Sequence, residues 1–252
     1  MNRIVTTEDI KKLGTILSVW AHPDDESFLA AGVISAAAQN GQTVACVTAT
    51  KGEAGSQDPK KWPPEKLAEI RAGELAKALE ILGVKKHFWL GYRDGSCCDV
   101  PTPEAVQKLS KIIQEVRPDS ILTFGPDGWT GHDDHRTMYH WVQAAVQKLD
   151  KKPSVYCVVH TPNHYEKYFK PADEALNLFF NIDMPPLLDE KKCDIYFVLP
   201  PATCVKKCDA LAASPSQTEA LFRIFNRDFV REAFAIECFI LDLRKIPRSK
   251  GK

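Results

Sequence analysis

The sequence lacks the features that mark several common classes of protein. Its 252 residues contain 33 Lys and Arg against 33 Asp and Glu, so it has no basic excess of the kind that nucleic acids and anionic membranes attract. No apolar run approaches the roughly 18 residues that cross a bilayer, and residues 1–10 lack the apolar centre of a signal peptide. We therefore expect a cytoplasmic protein with no nucleic-acid or membrane partner.

Nucleotide-binding and cysteine-metal motifs are also missing. No GxGxxG follows the first apolar run and GxxxxGK[ST] occurs nowhere, so a nucleotide cofactor is not expected. None of the eight cysteines has CxxC spacing, although Cys97-Cys98 and the Cys204/Cys208 pair leave a ligand or redox role open. Reduced thiols are the simpler interpretation.

What the sequence does contain is an alternation of short apolar runs and helical patterns. We predict strands at 15–20, 43–49, 87–90, 120–124, 154–160, 193–199 and 236–241. We predict helices at 27–39, 65–82, 102–116, 133–149, 202–213 and 217–230, and we expect residues 161–192 to include a long loop. This alternation is typical of an α/β fold, a mostly parallel sheet with helices on both faces. With no linker or repeat, we expect one domain over 1–252, with a regular core at about 14–150 and a less regular part at about 151–252.

Two polar clusters follow strand-like runs of this predicted sheet. The first is His22-Pro-Asp-Asp-Glu26, after the first run, and the second is His132-Asp-Asp-His135, after the fourth. In parallel sheets the ligand site lies outside the carboxyl ends of the strands. Both clusters are expected at that edge, where they suggest metal-assisted hydrolysis.

The spacing within the clusters suits a metal centre. At the start of a helix, His22 and Asp25 are three residues apart and point to one side, and both side chains are good zinc ligands. Asp24 points elsewhere and is free to act as a base. His135 can complete a set of three ligands that leaves a coordination position open for water. Alternatively, the carboxylates only satisfy a helix dipole, which leaves His22 unexplained, and the second cluster is only a helix cap.

Together, AHPDDE at 21–26 and HxDH at 132–135 resemble the LmbE/PIG-L-like zinc-dependent N-deacetylases. Three further segments resemble parts of the same family, namely TKGEAG at 50–55, RAGE at 71–74 and LGYRD at 90–94. The resemblance covers about residues 14–150. Downstream, the segment 207–217 departs from the family, because it carries Ser214 where the family usually has His.

This resemblance implies a Rossmann-like fold and the removal of an N-acetyl group from an N-acetylglucosamine-type sugar or its conjugate. The implied Zn²⁺ ligands are His22, Asp25 and His135, and Fe²⁺ also occupies sites of this kind. Asp24 would take a proton from the zinc-bound water. His132 would stabilise the oxyanion or protonate the departing amine, and Asp134 would orient His132 through a hydrogen bond.

Arg71, Asp94 and Trp129 are the candidate contacts to the sugar, since charged planar groups bind hydroxyls and aromatic rings stack on sugar rings. Each has a structural alternative: an ion pair of Arg71 with Glu74, a turn at Asp94 and loop packing at Trp129. Glu53 has a structural alternative too, in which it satisfies loop amides.

Two other functions remain open at this stage. A two-metal phosphoesterase would build a second site from Asp24, Asp134 and His132. A non-catalytic, metal-dependent sugar-binding protein would not need Asp24 and His132, and their presence counts against it. The sugar conjugate, the native metal and a homo-oligomeric state are left open by the sequence.

Overall fold

In the computed structural model, which describes residues 3–241, one sheet contains seven strands. The strands are β1 (Ile16–Trp20), β2 (Val44–Thr50), β3 (Lys86–Tyr92), β4 (Ser120–Thr123), β5 (Ser154–Val159), β6 (Ile195–Val198) and β7 (Ile236–Ile240). Their order is β3-β2-β1-β4-β5-β7-β6; β1 to β5 run parallel, and β7 is antiparallel to both of its neighbours. Every residue of β1, β2 and β4 is buried, so the sheet is covered on both faces. The predicted fold class is confirmed.

Helices connect these strands. They are α1 (Asp25–Leu29), α2 (Ala31–Gln39), α3 (Pro64–Leu82), α4 (Thr102–Val116), α5 (Asp133–Gln147), α6 (Pro162–His164), α7 (Lys170–Leu176), α8 (Pro201–Ala212), α9 (Pro215–Ile224) and α10 (Arg227–Ala233). A π-helical turn, Tyr165–Phe169, joins α6 to α7, and 3₁₀ turns occur at Asp9–Leu13, Cys97–Asp99 and Glu190–Lys192. Helix α3 ends, as predicted, at Gly83, whose φ of 81° is the left-handed conformation that glycine adopts easily.

Two sequence predictions on secondary structure were wrong, and one helical segment was not predicted. The predicted helix 27–39 is two helices, divided at Ala30, and the predicted helix 217–230 is divided before Asn226, whose side chain caps α10. The long loop expected within 161–192 is present at 177–189, but residues 162–176 before it are continuously helical. The signal for that helix was the helical spacing of the buried residues Tyr165, Phe169 and Ala172.

The strand order places β1 next to β4. From β1 the chain continues to β2, toward one edge of the sheet, and from β4 it continues to β5, toward the other edge. Such a switch point opens a crevice at the carboxyl ends of the two strands. Both polar clusters begin there. No helix in residues 3–241 is long and apolar enough to cross a membrane. All eight cysteines are unbridged and only Cys98 is exposed, as the reduced-thiol interpretation predicts.

Candidate metal centre and active site

The turn after β1 is held in an unusual backbone conformation. Asp24 has a φ of 104°, which non-glycine residues rarely adopt, and α1 begins immediately after it. Arg71, reaching from α3 and only 4% exposed, binds this turn. Its guanidinium donates to the carbonyl of Pro23 at 2.6 Å, to the carbonyl of Gly52 at 2.7 Å and to Asp24 Oδ2 at 3.2 Å. The surrounding contacts thus fix a strained residue, which is the usual setting of strain at a functional site.

Two histidine rings turn one nitrogen each toward the same point. Nε2 of His22 lies 2.9 Å from Asp94 Oδ1 and 3.2 Å from Asp134 Oδ2, and Nδ1 of His135 lies 2.9 Å from the carbonyl of Gly128. These partners are acceptors, so they assign a proton to each of those nitrogens. The remaining nitrogens, Nδ1 of His22 and Nε2 of His135, face each other at 3.0 Å. Metal-binding histidines are oriented in this way, by a partner on the far nitrogen.

The Asp25 carboxylate lies against the same point. Its Oδ1 is 3.5 Å from Nε2 of His135 and its Oδ2 is 3.8 Å from Nδ1 of His22. Ligand atoms of a tetrahedral zinc site with bonds of about 2.0–2.1 Å lie about 3.3 Å apart. Asp25 Oδ2 also accepts from the backbone amide of His22 at 2.8 Å. A single proton between the two rings joins only their nitrogens, whereas a divalent cation can bind both nitrogens and the Asp25 carboxylate. The residues present therefore fit a bound divalent metal.

Burial shifts the pKa values of the groups in this pocket. It raises the pKa of Asp24 to about 7, opposed mainly by the Arg71 charge, and that of Asp25 to about 6, opposed mainly by His22. Burial lowers the pKa of His135 well below its usual value. Burial opposes protonation of His22 as well, but its contacts to Asp134 and Asp94 outweigh this and raise its pKa to about 10.

Among the described residues, two other sets of side chains could hold a metal ion. Within each set, the possible ligand atoms lie within 4.8 Å of one another. One set is His22, His132 and His135, and the other is His22, Asp94 and Asp134. Both include His22, so neither is an independent second centre. The three sets together describe one polar pocket at the ends of β1, β3 and β4.

His132 and Asp134 lie beside this pocket, at the start of α5. The amide of Asp134 donates to Nδ1 of His132 at 3.1 Å, so a neutral His132 carries its proton on Nε2. The buried carboxylate of Asp134 accepts from the amides of Gly95 and Cys97, at 2.8 and 3.0 Å, and contacts His22. The sequence predicts that this carboxylate orients His132, whereas the hydrogen bond that joins the two residues comes from the backbone of Asp134.

The residues of the pocket differ in their exposure to solvent. The proposed ligands His22, Asp25 and His135 are each less than 9% exposed. Asp24 and His132, the candidates for proton transfer, are only half-buried. A molecule that enters the pocket therefore meets these two groups.

The candidate sugar contacts each have a structural partner. Asp94 accepts from the amide of Ala54 at 2.9 Å, and its own amide donates to Glu53 at 3.0 Å, which fits the structural interpretation of Glu53. The indole N–H of Trp129 donates to Nε2 of His160 at 2.6 Å. Contact of Arg71, Asp94 or Trp129 with a substrate stays a prediction.

Sequence reasoning missed a network that fixes the loops around the pocket. Glu74 binds Ser216, accepting from its amide at 2.9 Å and from its hydroxyl at 2.5 Å, rather than pairing with Arg71. Gln217 donates to the carbonyl of Gly55 at 3.1 Å. The signal for this network was RAGE, because Arg71 reaches from α3 to the turn after β1 while Glu74 reaches from the same helix to the first turn of α9.

Residues 17–146, just over half of the chain, match the family described as PIG-L: GlcNAc-PI de-N-acetylase. A 1D-myo-inositol 2-acetamido-2-deoxy-alpha-D-glucopyranoside deacetylase of Kineococcus radiotolerans is 34% identical over an alignment of 174 residues that covers 58% of this chain and 47% of the relative. The chain spans about half the length of the curated relatives it matches.

Solved structures share the fold at lower identity. The N,N'-diacetylchitobiose deacetylase from Pyrococcus horikoshii superposes with a TM-score of 0.60 at 23% identity, over 91% of this chain and 84% of that one. The 4-carboxy-2-hydroxymuconate hydratase from Pseudomonas putida KT2440 gives 0.63 at 20% identity, over 95% of this chain and 99% of that one. Since a deacetylase and a hydratase share this fold, the reaction must be argued from the site.

Proposed function

Because the chain belongs to the PIG-L family of GlcNAc-PI de-N-acetylases, we propose that it is a metal-dependent amide hydrolase. It removes the N-acetyl group from an N-acetylglucosamine-type amino sugar or its conjugate. The observation that carries this proposal is the convergence of His22, Asp25 and His135 on one point, with the half-buried Asp24 and His132 beside it. A small-molecule partner and a cytoplasmic location belong to the same proposal.

The three converging residues would hold the metal. Two imidazole nitrogens and a carboxylate are a zinc ligand set, and Fe²⁺ is the alternative occupant. When bound, the metal would polarise the amide carbonyl and lower the pKa of a water molecule beside it. The far nitrogen of each histidine is already paired, His22 with Asp94 and His135 with the carbonyl of Gly128, so both rings are oriented in advance.

Asp24 is the proposed base. Arg71 binds its carboxylate from the buried side, while the half-buried carboxylate remains accessible from the pocket. In this position Asp24 can accept the proton of the attacking water, a role that contributes about 10²- to 10⁴-fold to the rate.

His132 is the proposed acid. The Nε2–H of neutral His132 can donate a hydrogen bond to the carbonyl oxygen as that oxygen gains charge. Only the imidazolium form of His132 can transfer a proton to the departing nitrogen, and it returns to the neutral imidazole when it does so. An amide nitrogen leaves poorly as an anion, so one of the residues must supply a proton. Asp134 supports both sides of the site, because its amide orients His132 and its carboxylate contacts His22.

The test is the release of amine and acetate, in equal amounts, from a panel of N-acetylated amino sugars by the Zn²⁺-supplemented protein. We expect Asp24→Asn to lower kcat at least about 100-fold while the metal content is unchanged. Asp133→Asn is the matched control, because Asp133 is an exposed neighbour of the same site. A fully metallated protein that releases no amine from any such sugar would contradict the proposed activity.

The same samples test the two alternatives. A phosphoesterase would release phosphate from sugar phosphates and hold two metals per chain. A sugar-binding protein would bind the panel without turnover, and Asp24→Asn would leave binding unchanged.

A further inference from the structure

A cavity of about 430 Å³ lies beside the candidate active site, and the proposed reaction gives it no role. We refer to it as the apolar cavity. The fifteen residues that line it include no Asp, Glu, Lys, Arg or His. Much of its wall is aromatic, formed by Phe28, Trp129, Tyr168, Phe169, Phe229 and Phe234. Pockets of about 300–1,000 Å³ with apolar walls and few polar groups are typical of small-molecule sites.

Two lining residues connect this cavity to the proposed reacting groups. The amide of Phe28 donates to the carbonyl of Asp24 at 2.9 Å, so the two residues are one helical turn apart. Thr130 Oγ1 lies 3.4 Å from Nδ1 of His135, the ring nitrogen that faces away from the proposed metal position. The cavity wall at Phe28 therefore begins one helical turn from Asp24, beside which the amide would react.

The wall nearest the site is held rigidly. Trp129 has a φ of 62°, its amide donates to Asp127 at 2.7 Å and its indole donates to His160 at 2.6 Å. Its ring packs edge-on against Phe179 and Phe169, with centroids 5.5 and 6.3 Å away. These contacts keep the indole from collapsing into the cavity, so the space exists before a ligand arrives.

The polar edge of the cavity does not select for charge. The side-chain amide of Gln57 donates to the backbone carbonyl of Gln217, and the side-chain amide of Gln217 donates to the backbone carbonyl of Gly55, each at 3.1 Å. Both side chains thus connect the loop that contains Gly55 and Gln57 to α9. A phosphate or a second polyhydroxy group would exchange water for an aromatic wall and lose hydrogen bonds.

We propose that the apolar cavity binds an alkyl or aryl substituent of the substrate, so that the protein prefers an amino sugar that carries such a group. This inference rests on the proposed function for the position of the amide. The substituent is either a group at C1 of the sugar or a longer acyl chain on the nitrogen. The lining accepts both, and the two arms of the test separate them.

Binding is measured by titration calorimetry. The first arm compares phenyl β-D-glucoside with methyl β-D-glucoside, neither of which contains an amide. The second arm compares N-octanoylglucosamine with N-acetylglucosamine on Asp24→Asn, which slows turnover. We expect at least ten-fold tighter binding of the apolar probe in one arm, and that arm identifies the source of the substituent.

A pair of matched variants locates the binding. Ala220→Leu narrows the apolar cavity, and Ala144→Leu on α5 is the control, because both are half-buried helical alanines and Ala144 lies outside the lining. We expect Ala220→Leu to weaken the binding of the preferred probe at least ten-fold. The same variant should turn over N-acetylglucosamine at a rate within about two-fold of the wild-type rate. Ala220→Val repeats the test with a smaller side chain if the leucine variant does not fold.

The outcomes distinguish this inference from the proposed function. Equal binding of apolar and polar probes in both arms overturns the inference, even if N-acetylglucosamine is deacetylated. Tight binding of an apolar probe that Ala220→Leu abolishes supports the inference, even if no amide is hydrolysed.

Discussion

The metal centre and the apolar cavity lie side by side, yet they are built in opposite ways. In the metal centre, the outer nitrogen of each histidine has a directed partner, Asp94 for His22 and the carbonyl of Gly128 for His135. The apolar cavity draws its walls from separate parts of the chain, from Phe28 to Phe234, and relies on non-directional packing. Directed polar contacts require particular residues at particular spacings. The residues of an apolar wall need only be large, apolar and buried, so no short sequence motif marks them.

The largest expected effect concerns the metal centre alone. His135→Ala removes one of the three proposed metal ligands, and we expect the metal content to fall from about one ion per chain to nearly zero. Turnover should fall by more than the 10- to 100-fold typical of a residue that only supports a ligand. Elemental analysis beside His140→Ala, an exposed histidine of the same helix, checks this. Full metal content in His135→Ala would contradict the proposed ligand set.

Arg71→Met should separate positioning from metal binding. The variant leaves Asp24 and the carbonyls of Pro23 and Gly52 without their buried partner, so we expect the free energy of unfolding to fall by about 3–5 kcal/mol. We also expect kcat to fall while metal content is retained. Arg231→Met, which breaks an exposed ion pair with Asp228, should cost about 1 kcal/mol or less in the same denaturant titration.

Trp129→Phe tests whether the apolar cavity is independent of the metal centre. The change leaves buried Nε2 of His160 without its donor, so we expect a loss of about 1–3 kcal/mol in the free energy of unfolding. Metal content should not change. Trp89→Phe, at a half-buried position of β3, is the control. A loss of metal in Trp129→Phe alone would show that the two regions are coupled.

The smallest effect should come from outside both regions. Burial lowers the pKa of His87, in β3, from 6.5 to about 4. As pH falls from 6.5 to 4, the unfolded state takes up a proton that the folded state does not, so stability falls over this range. For a half-buried imidazole we expect a loss of about 1–2 kcal/mol. Unfolding free energies of wild type and His87→Gln should diverge below pH 6.5, and identical pH profiles would contradict this.

The pattern of the sequence predicted the sheet well, because the signals were local. All seven predicted strands are present, and α4 (Thr102–Val116) has its predicted bounds. The errors came where local signals compete with tertiary contacts. Ala30 interrupts a continuous helical pattern, and the helical segment 162–176 lies in a stretch rich in Pro, Asn and aromatic residues.

The two polar clusters were also readable from the sequence, since strand ends of a parallel sheet meet at one edge. Their meeting is borne out by the 3.0 Å contact between His22 and His135. Their roles stay predictions. What spacing could not show is that Asp134 contacts His22 and reaches His132 through its backbone.

The sequence by itself determined the order of strands and helices and the chemistry available at the ends of β1 and β4. Hydrophobic periodicity and short motifs act over a few residues, so they can be read directly. Only the tertiary structure decided the partners of Arg71, the support of Trp129 by His160 and the existence of the apolar cavity. These features join residues far apart in the chain, and their geometry is set by how the helices pack on the sheet.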